Sequence, residues 1–336
     1  MDPQRKSLRI GALVIGTAIA LRLLSGGALA PLVRALTKPE TVAVLMYLET
    51  GRVVRPYSAM TYPAESPVPE QTQPPQTPAA PVFTAGDADT LELDNETSYD
   101  PDLAALLTAP LNWDLRAEHP TVLILHTHGT ESYTPSPGED YEETSAYRTL
   151  NENYNMLSVG RLVAQRLEDA GIRVVQDRNL HDYPSYNGSY TNARTSIEAI
   201  LAENPGIRLI LDLHRDAAAT EYGQMDTSAD VGGRESAQLM LVIGTDDGGL
   251  YHPDWEENLA LALKLQTLLA QAHPGLCRPL NLCAERFNGD ESPGALLIEV
   301  GAAGNTRPEA LLAAETLADG IIALAGGANT TEDSTS

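Results

Sequence analysis

Three short apolar runs in this chain each stop at an ionisable side chain, where a strand would run out into a loop. They are Thr121-Val-Leu-Ile-Leu-His126-Thr-His128-Gly-Thr-Glu131, Leu209-Ile-Leu-Asp212-Leu-His214-Arg-Asp216 and Gly294-Ala-Leu-Leu-Ile-Glu299-Val-Gly301. Runs this nearly continuous suit strands covered on both faces. Further strands are expected at Ile172–Gln176 and Ala237–Gly244, with helices at Asn155–Ala170, Thr191–Asn204, Trp255–Ala272 and Pro308–Leu324. That alternation predicts an α/β fold, a mostly parallel or mixed sheet flanked by helices on both faces. Such sheets gather their chemistry at the carboxyl ends of the strands. Two imidazoles and a carboxylate arriving there suggest a zinc site with an open position and an adjacent general base.

Charge narrows the partners. The chain has 22 basic against 46 acidic side chains, a formal charge of −24. Nucleic acid and anionic head groups both need basic surface, so neither is expected as a partner. Cys277 and Cys283 are the two cysteines. They are too few for a thiolate zinc site, though an exported domain could join them in a disulfide. Any metal must therefore be held by His, Asp or Glu.

The chain divides unevenly. Residues 1–9 are basic and read as a cytoplasmic N-terminus, followed by a largely apolar stretch at 10–30 of about the length that crosses a bilayer. A transmembrane anchor is the favoured reading of 10–30. A signal peptide cleaved after Ala30 competes with it, and either one exports the rest. Residues 31–117 read as an extracytoplasmic linker, Pro-rich in 62–83, with a short helix near Leu103–Leu111. Residues 118–326 read as the catalytic domain and 327–336 as a disordered tail.

Within the domain, His128 is the better ligand candidate of its pair. His126, two residues earlier and on the same face of an extended strand, could orient a neighbour or simply pack in the core. Glu131 could complete a set of two histidines and one carboxylate. Asn151 and Glu152, ahead of the first helix, remain alternative ligands or capping groups. His214 is the second histidine ligand, with Asp212 and Asp216 on its face to fix its tautomer. Glu299 interrupts an apolar run, where a buried acid is costly unless paired or functional, and it is the candidate base. Arg215 could grip a substrate carboxylate, and Tyr133, Arg286 and Asn288 could line a substrate groove. Tyr186 and Tyr190 are also placed to meet a polar ligand. His119, His181 and His273 read as surface groups, and His252 as shaping the start of a helix.

The segments His126–Tyr133, Asp212–Asp216, Arg286-Phe-Asn-Gly-Asp290 and Leu297–Thr306, in that order behind an apolar N-terminal stretch, together resemble the stage II sporulation protein P family. The resemblance covers about residues 118–326 and extends to the anchor, Tyr47–Gly51 and the Pro-rich spacer. It implies a fold like that of the zinc-dependent N-acetylmuramoyl-L-alanine amidases. The implied substrate is peptidoglycan, cut at the lactyl amide and also at peptide cross-links, and the cofactor is Zn2+. The implied partners are stage II sporulation proteins D and M, with the catalytic domain outside the cytoplasmic membrane during engulfment. Position by position, the resemblance puts metal ligands on His128 and His214 and the catalytic glutamate on Glu299. Thr127 stands where the amidases have glycine. Their second ligand, a glutamate at the start of the first helix, falls near Asn151, which leaves Glu131 favoured and Glu152 as an alternative. A zinc carboxypeptidase and a metal-free wall-binding module are the rival expectations.

Overall fold

The computed structural model describes residues 81–326 apart from 112, 221 and 222. The expected anchor, most of the Pro-rich spacer and the tail at 327–336 lie outside the described residues. No described helix is long and apolar enough to cross a membrane.

Seven strands build the central sheet: β1 (Leu93–Asn95), β2 (Val122–Leu125), β3 (Val174–Gln176), β4 (Leu209–Asp216), β9 (Leu239–Gly244), β10 (Leu280–Cys283) and β11 (Ala295–Ala302). Two hairpins, β5 (Ala219–Thr220) with β6 (Gly223–Gln224) and β7 (Ser228–Val231) with β8 (Arg234–Ala237), are inserted between β4 and β9. The sheet order is β1-β10-β9-β11-β4-β2-β3, parallel throughout except where β11 meets β9. The helices are α1 (Leu103–Thr108), α2 (Met156–Asp169), α3 (Ser189–Glu203), α4 (Trp255–Ala272) and α5 (Arg307–Gly326). The mixed α/β expectation therefore holds, and β2, β4 and β11 deliver their carboxyl ends to one edge.

Side chains alternate across a strand, so each strand feeds two different cores. Val122, Ile124, Leu211, Leu213, Ile298 and Val300 pack with α2, α4 and α5 in the main core. Their neighbours Leu123, Leu125, Ile210 and Ala295 pack under Ala193 and Ile197 of α3. Asp212, His214 and Glu299 fall on the α3 side by the same alternation.

Three elements depart from expectation. Among the described residues, folded structure begins with the helical turn at Ala85–Thr90, well ahead of Glu118. β1 pairs with β10 at the sheet edge, and α1 packs on α4. Lys264 of α4 donates to the carbonyls of Leu106 (2.9 Å) and Leu107 (2.6 Å), last-turn acceptors of α1 that the helix itself cannot satisfy. The stretch expected as one strand at Ala237–Gly244 breaks at Gln238. There the N–H donates to Thr227, in step with the β7–β8 hairpin, and the carbonyl accepts from Gly301, in step with β9 and β11, so Gln238 is where the chain passes from one ladder to the other. Cys277 and Cys283 are free thiols, with Cys283 on β10 inside the sheet, so no disulfide joins them.

Candidate metal and catalytic site

The two histidines after β2 diverge. β2 ends at Leu125 and residues 127–130 turn, so the shared face expected from an extended strand is lost. His126 Nδ1 lies 3.0 Å from the Leu213 carbonyl, and its ring presses on Gly160 of α2. A Cβ at Gly160 would come within 2.3 Å of the His126 ring, so that helix position admits only glycine. His126 thus braces the backbone just before His214. His128 turns the other way and meets His214 edge-on, ring centroids 5.3 Å apart.

Glu299 and His214 are register partners on neighbouring parallel strands. Between Glu299 and Ala302 the β11–β4 register shifts at a bulge, and Gly301 adopts φ +71°. A bulge re-aims the strand beside it, and only glycine takes that φ without strain. The bulge leaves the Val300 carbonyl to accept from the buried Tyr133 hydroxyl at 2.8 Å. Tyr133 is therefore a support for the strand and does not line a substrate groove.

Asp212 holds the second histidine. Its carboxylate accepts from Thr127 N (2.8 Å) and Thr127 Oγ1 (2.6 Å) and lies 2.9 Å from His214 Nε2. His214 Nδ1 is turned toward Glu131, 3.9 Å from Oε2. That separation is too long for a hydrogen bond. Glu131 in turn is fixed by cations: Arg148 lies 3.1 Å from Oε1 and Arg215 3.5 Å, while the Arg215 backbone N–H donates to Oε2 at 3.2 Å.

These contacts set the protonation pattern. Burial lowers His128 to about 3, helped by His214, Arg148 and Arg215, so it is neutral. Burial also opposes charge on His214, but Asp212 beside it outweighs that and raises it to about 9. Asp212 goes the other way: burial is overcome by His214 and Thr127, and its carboxyl is held well below the usual range. Glu299 is raised to about 8 by burial, with Glu131 and Asp216 adding to the rise. Part of the Glu299 residue still reaches the surface, while its Oε2 is buried.

Other expectations are redirected. Glu152 pairs with Arg178 at a half-exposed position, and the exposed Asn151 accepts from the Asn153 N–H, so of the three candidates Glu131 is the one that stands beside His214. Arg215 is buried and spent on Glu131 and the carbonyls of Ser132 and Tyr147, which leaves it no fork for a substrate. Asp216 braces the end of β4 through Arg278 (2.7 Å) and does not touch His214. Arg286 pairs with Asp290, and Asn288 donates to the Tyr190 carbonyl. His181 is buried and 3.0 Å from Asp177, not a surface group. The roles of Arg148 and Asp182 are not legible in the sequence. Arg148 bridges Glu131 and Asp182 (2.7 Å) beneath the Tyr186 ring, and a sequence shows no trace of a bridge 34 residues long.

The donors suit a metal by chemistry. Two imidazoles and a carboxylate are a zinc set with a place left for water. Among the described residues, His128 Nδ1 and Glu299 Oε2 are buried without a hydrogen-bond partner. His214 Nε2 is close to Asp212 but not aligned for a hydrogen bond with it. Orphaned polar atoms of this kind are what a ligand would remedy. No three His, Cys, Asp or Glu side chains among the described residues already stand at ligating distance from one point. The Tyr186 hydroxyl lies 3.2 Å from His128 Nε2, and its ring stacks on His128 at 4.5 Å.

The fold and this cluster define a mixed α/β domain with a histidine–carboxylate centre at the carboxyl edge of its sheet. The family model for stage II sporulation protein P matches residues 57–322, and the chain belongs to that family. The stage II sporulation protein P of Bacillus subtilis strain 168 is 30% identical over 209 residues. That alignment covers 59% of this chain, which spans about half (49%) of the relative's length. Among solved structures, the chain is similar to the N-acetylmuramoyl-L-alanine amidase AmiC2 of Nostoc punctiforme (17% identity, TM-score 0.36, 60% of this chain and 95% of that one). The N-acetylmuramoyl-L-alanine amidase of Clostridium difficile 630 matches at 19% identity and TM-score 0.35, over 61% of this chain and 94% of its own.

Proposed function

We propose that this chain is a zinc-dependent peptidoglycan hydrolase that cuts the lactyl amide between N-acetylmuramic acid and the stem peptide, with peptide cross-links as a second substrate. The observation that carries the reading is Glu299 in register beside His214, its buried Oε2 without a partner. His128, His214 and Glu131 would hold the ion. Bound zinc supplies Lewis acidity toward the carbonyl and acidifies the attacking water.

The chain's own residues do the rest. Glu299 takes the proton of the water and returns it to the departing nitrogen, a task suited to a carboxyl raised to about 8. Asp212, held by Thr127, fixes the ring of His214. Arg148 and Arg215 hold Glu131 in one orientation.

Family membership supports a role in sporulation and a cell-wall substrate, and the reading takes stage II sporulation proteins D and M as partners at the engulfing membrane. Residues 10–30 would anchor the chain in that membrane as a single pass. Mass spectrometry of digested wall tests the chemistry. Free stem peptides with intact lactyl ends are expected. Loss of a terminal residue alone would mean a carboxypeptidase, and no product would mean a binding module.

A further inference from the structure

We propose that Tyr190 is a further catalytic residue, whose hydroxyl donates a hydrogen bond to the carbonyl oxygen of the scissile amide as negative charge builds there. The assignment rests on the amide-hydrolase reading above. Tyr190 lies in the first turn of α3, edge-on to His128 with centroids 5.5 Å apart and parallel to His214 at 6.5 Å. The hydroxyls of Tyr99, Tyr133, Tyr141 and Tyr186 all have partners. The Tyr190 hydroxyl has none among the described residues, although its ring stands against both site histidines. That hydroxyl is not among the buried groups left unpaired, so it opens onto the site, where an acceptor brought by the substrate can meet it.

The mounting is rigid. Asn288, itself at φ +59°, donates its side-chain N–H to the Tyr190 carbonyl at 2.9 Å. Phe287 packs on the Tyr190 ring at 5.5 Å. Asp290 locks that segment to α3 by accepting both Arg194 terminal nitrogens at 3.0 Å, and it also pairs with Arg286. The Arg286–Asp290 motif, expected to line a groove, thus serves to hold Tyr190 still. A donor fixed beforehand is what transition-state stabilisation requires.

In the step itself, the water oxygen bonds to the carbonyl carbon while Glu299 takes its proton. The carbonyl π pair moves onto oxygen, where the Tyr190 O–H stabilises it without giving up its own proton. The pair returns as the C–N bond breaks, and the nitrogen leaves with the proton from Glu299.

The test uses the full-length, zinc-loaded chain and a soluble muramoyl peptide. Tyr190→Phe keeps the ring contacts and removes the donor. It should lower kcat by about 100-fold, with KM within about twofold and bound zinc and Tm unchanged. Tyr190→Ala should lose as much kcat and some Tm as well. In the Glu299→Gln background, calorimetry should give the muramoyl peptide the same Kd with and without the added Tyr190→Phe change, since the bond forms only as charge develops. A Tyr190→Phe enzyme with wild-type kcat, or one changed only in KM, overturns the assignment while the hydrolase reading stands. A wild-type chain that releases no product overturns both.

Discussion

The two faces of the sheet are made by the same strands and do opposite work. Toward α2, α4 and α5, every second residue of β2, β4 and β11 is apolar and buried as far as Leu213 and Val300. Toward α3 the apolar set stops at Leu125, Ile210 and Leu297, and Asp212, His214 and Glu299 take over toward the carboxyl edge. Adjacent residues on one strand therefore carry either stability or chemistry. The alternation of the strand keeps polar groups that are costly to bury out of the main core.

Ile298 and Glu299 put that division to its hardest test. Glu299→Gln should cut turnover by about 10³-fold, in the middle of the range that general-base catalysis supplies. It should retain bound zinc, whereas His214→Ala should lose metal and activity together. Without metal, Glu299 has a folded pKa of about 8, above its ordinary value. Its contribution to stability is therefore fully present below the ordinary carboxylate range and lost as pH rises through about 8. The wild-type apoprotein should weaken between about pH 5 and pH 8 by more than Glu299→Gln does, because glutamine does not titrate. Thermal melts of both apoproteins at those two pH values check this. A gap between them that stays constant would contradict the buried, unpaired carboxyl.

Ile298→Ala should do the reverse. Removing that fully buried side chain should cost about 2–5 kcal/mol by denaturant unfolding, while each folded molecule keeps its turnover. Loss of turnover without loss of stability would erase the contrast between the faces.

Much of this division is legible in the sequence. The strand runs and the placement of His214 and Glu299 near their ends are read from nearly continuous apolar runs that give way to ionisable side chains, and β4 and β11 stay extended through those residues. His126 and His128 defeat the same reasoning because their strand stops first, and a chain that turns no longer obeys a period of two. Tyr133 and Arg215 look like substrate contacts because a sequence does not reveal the bulge carbonyl and loop carbonyls that occupy them. β1 escapes notice for a different reason. Three residues at a sheet edge inside an acidic stretch carry no apolar period, and their partner β10 lies nearly two hundred residues away.

That hidden edge gives the next prediction. A chain begun at residue 118 lacks β1 and α1 and strips Lys264 of both its carbonyl acceptors. Leaving such a buried group unsatisfied costs about 1–3 kcal/mol, and the lost packing adds to it. The shortened chain should melt several degrees below one begun at residue 81. Equal melting temperatures would put β1 and α1 outside the cooperative unit.

Metal uptake should separate the two histidines by their protons. His128 is already neutral, whereas His214, raised to about 9, must lose a proton to bind. Apparent zinc affinity should therefore rise about tenfold per pH unit between pH 6 and 8, and calorimetry in buffers of different ionisation enthalpy should register proton release. An affinity flat across that range would mean that His214 is not a ligand.

The smallest effect is expected at Tyr186, on the open side of the site. The residue is 56% exposed, yet its ring stacks on His128 above Arg148, and its hydroxyl meets His128 Nε2. Tyr186→Phe keeps both ring contacts and removes only the hydroxyl. The lost contact is partly solvated, so stability should shift by no more than about 0.5 kcal/mol. Turnover should stay within a few-fold of wild type, because the contact occupies the histidine rather than the reacting amide. Zinc should stay bound, since the unpartnered His128 Nδ1 is untouched by the change. A fall in turnover matching that of Glu299→Gln would move Tyr186 from the rim of the site into its chemistry, and the open face would then extend past the sheet into the 183–188 loop.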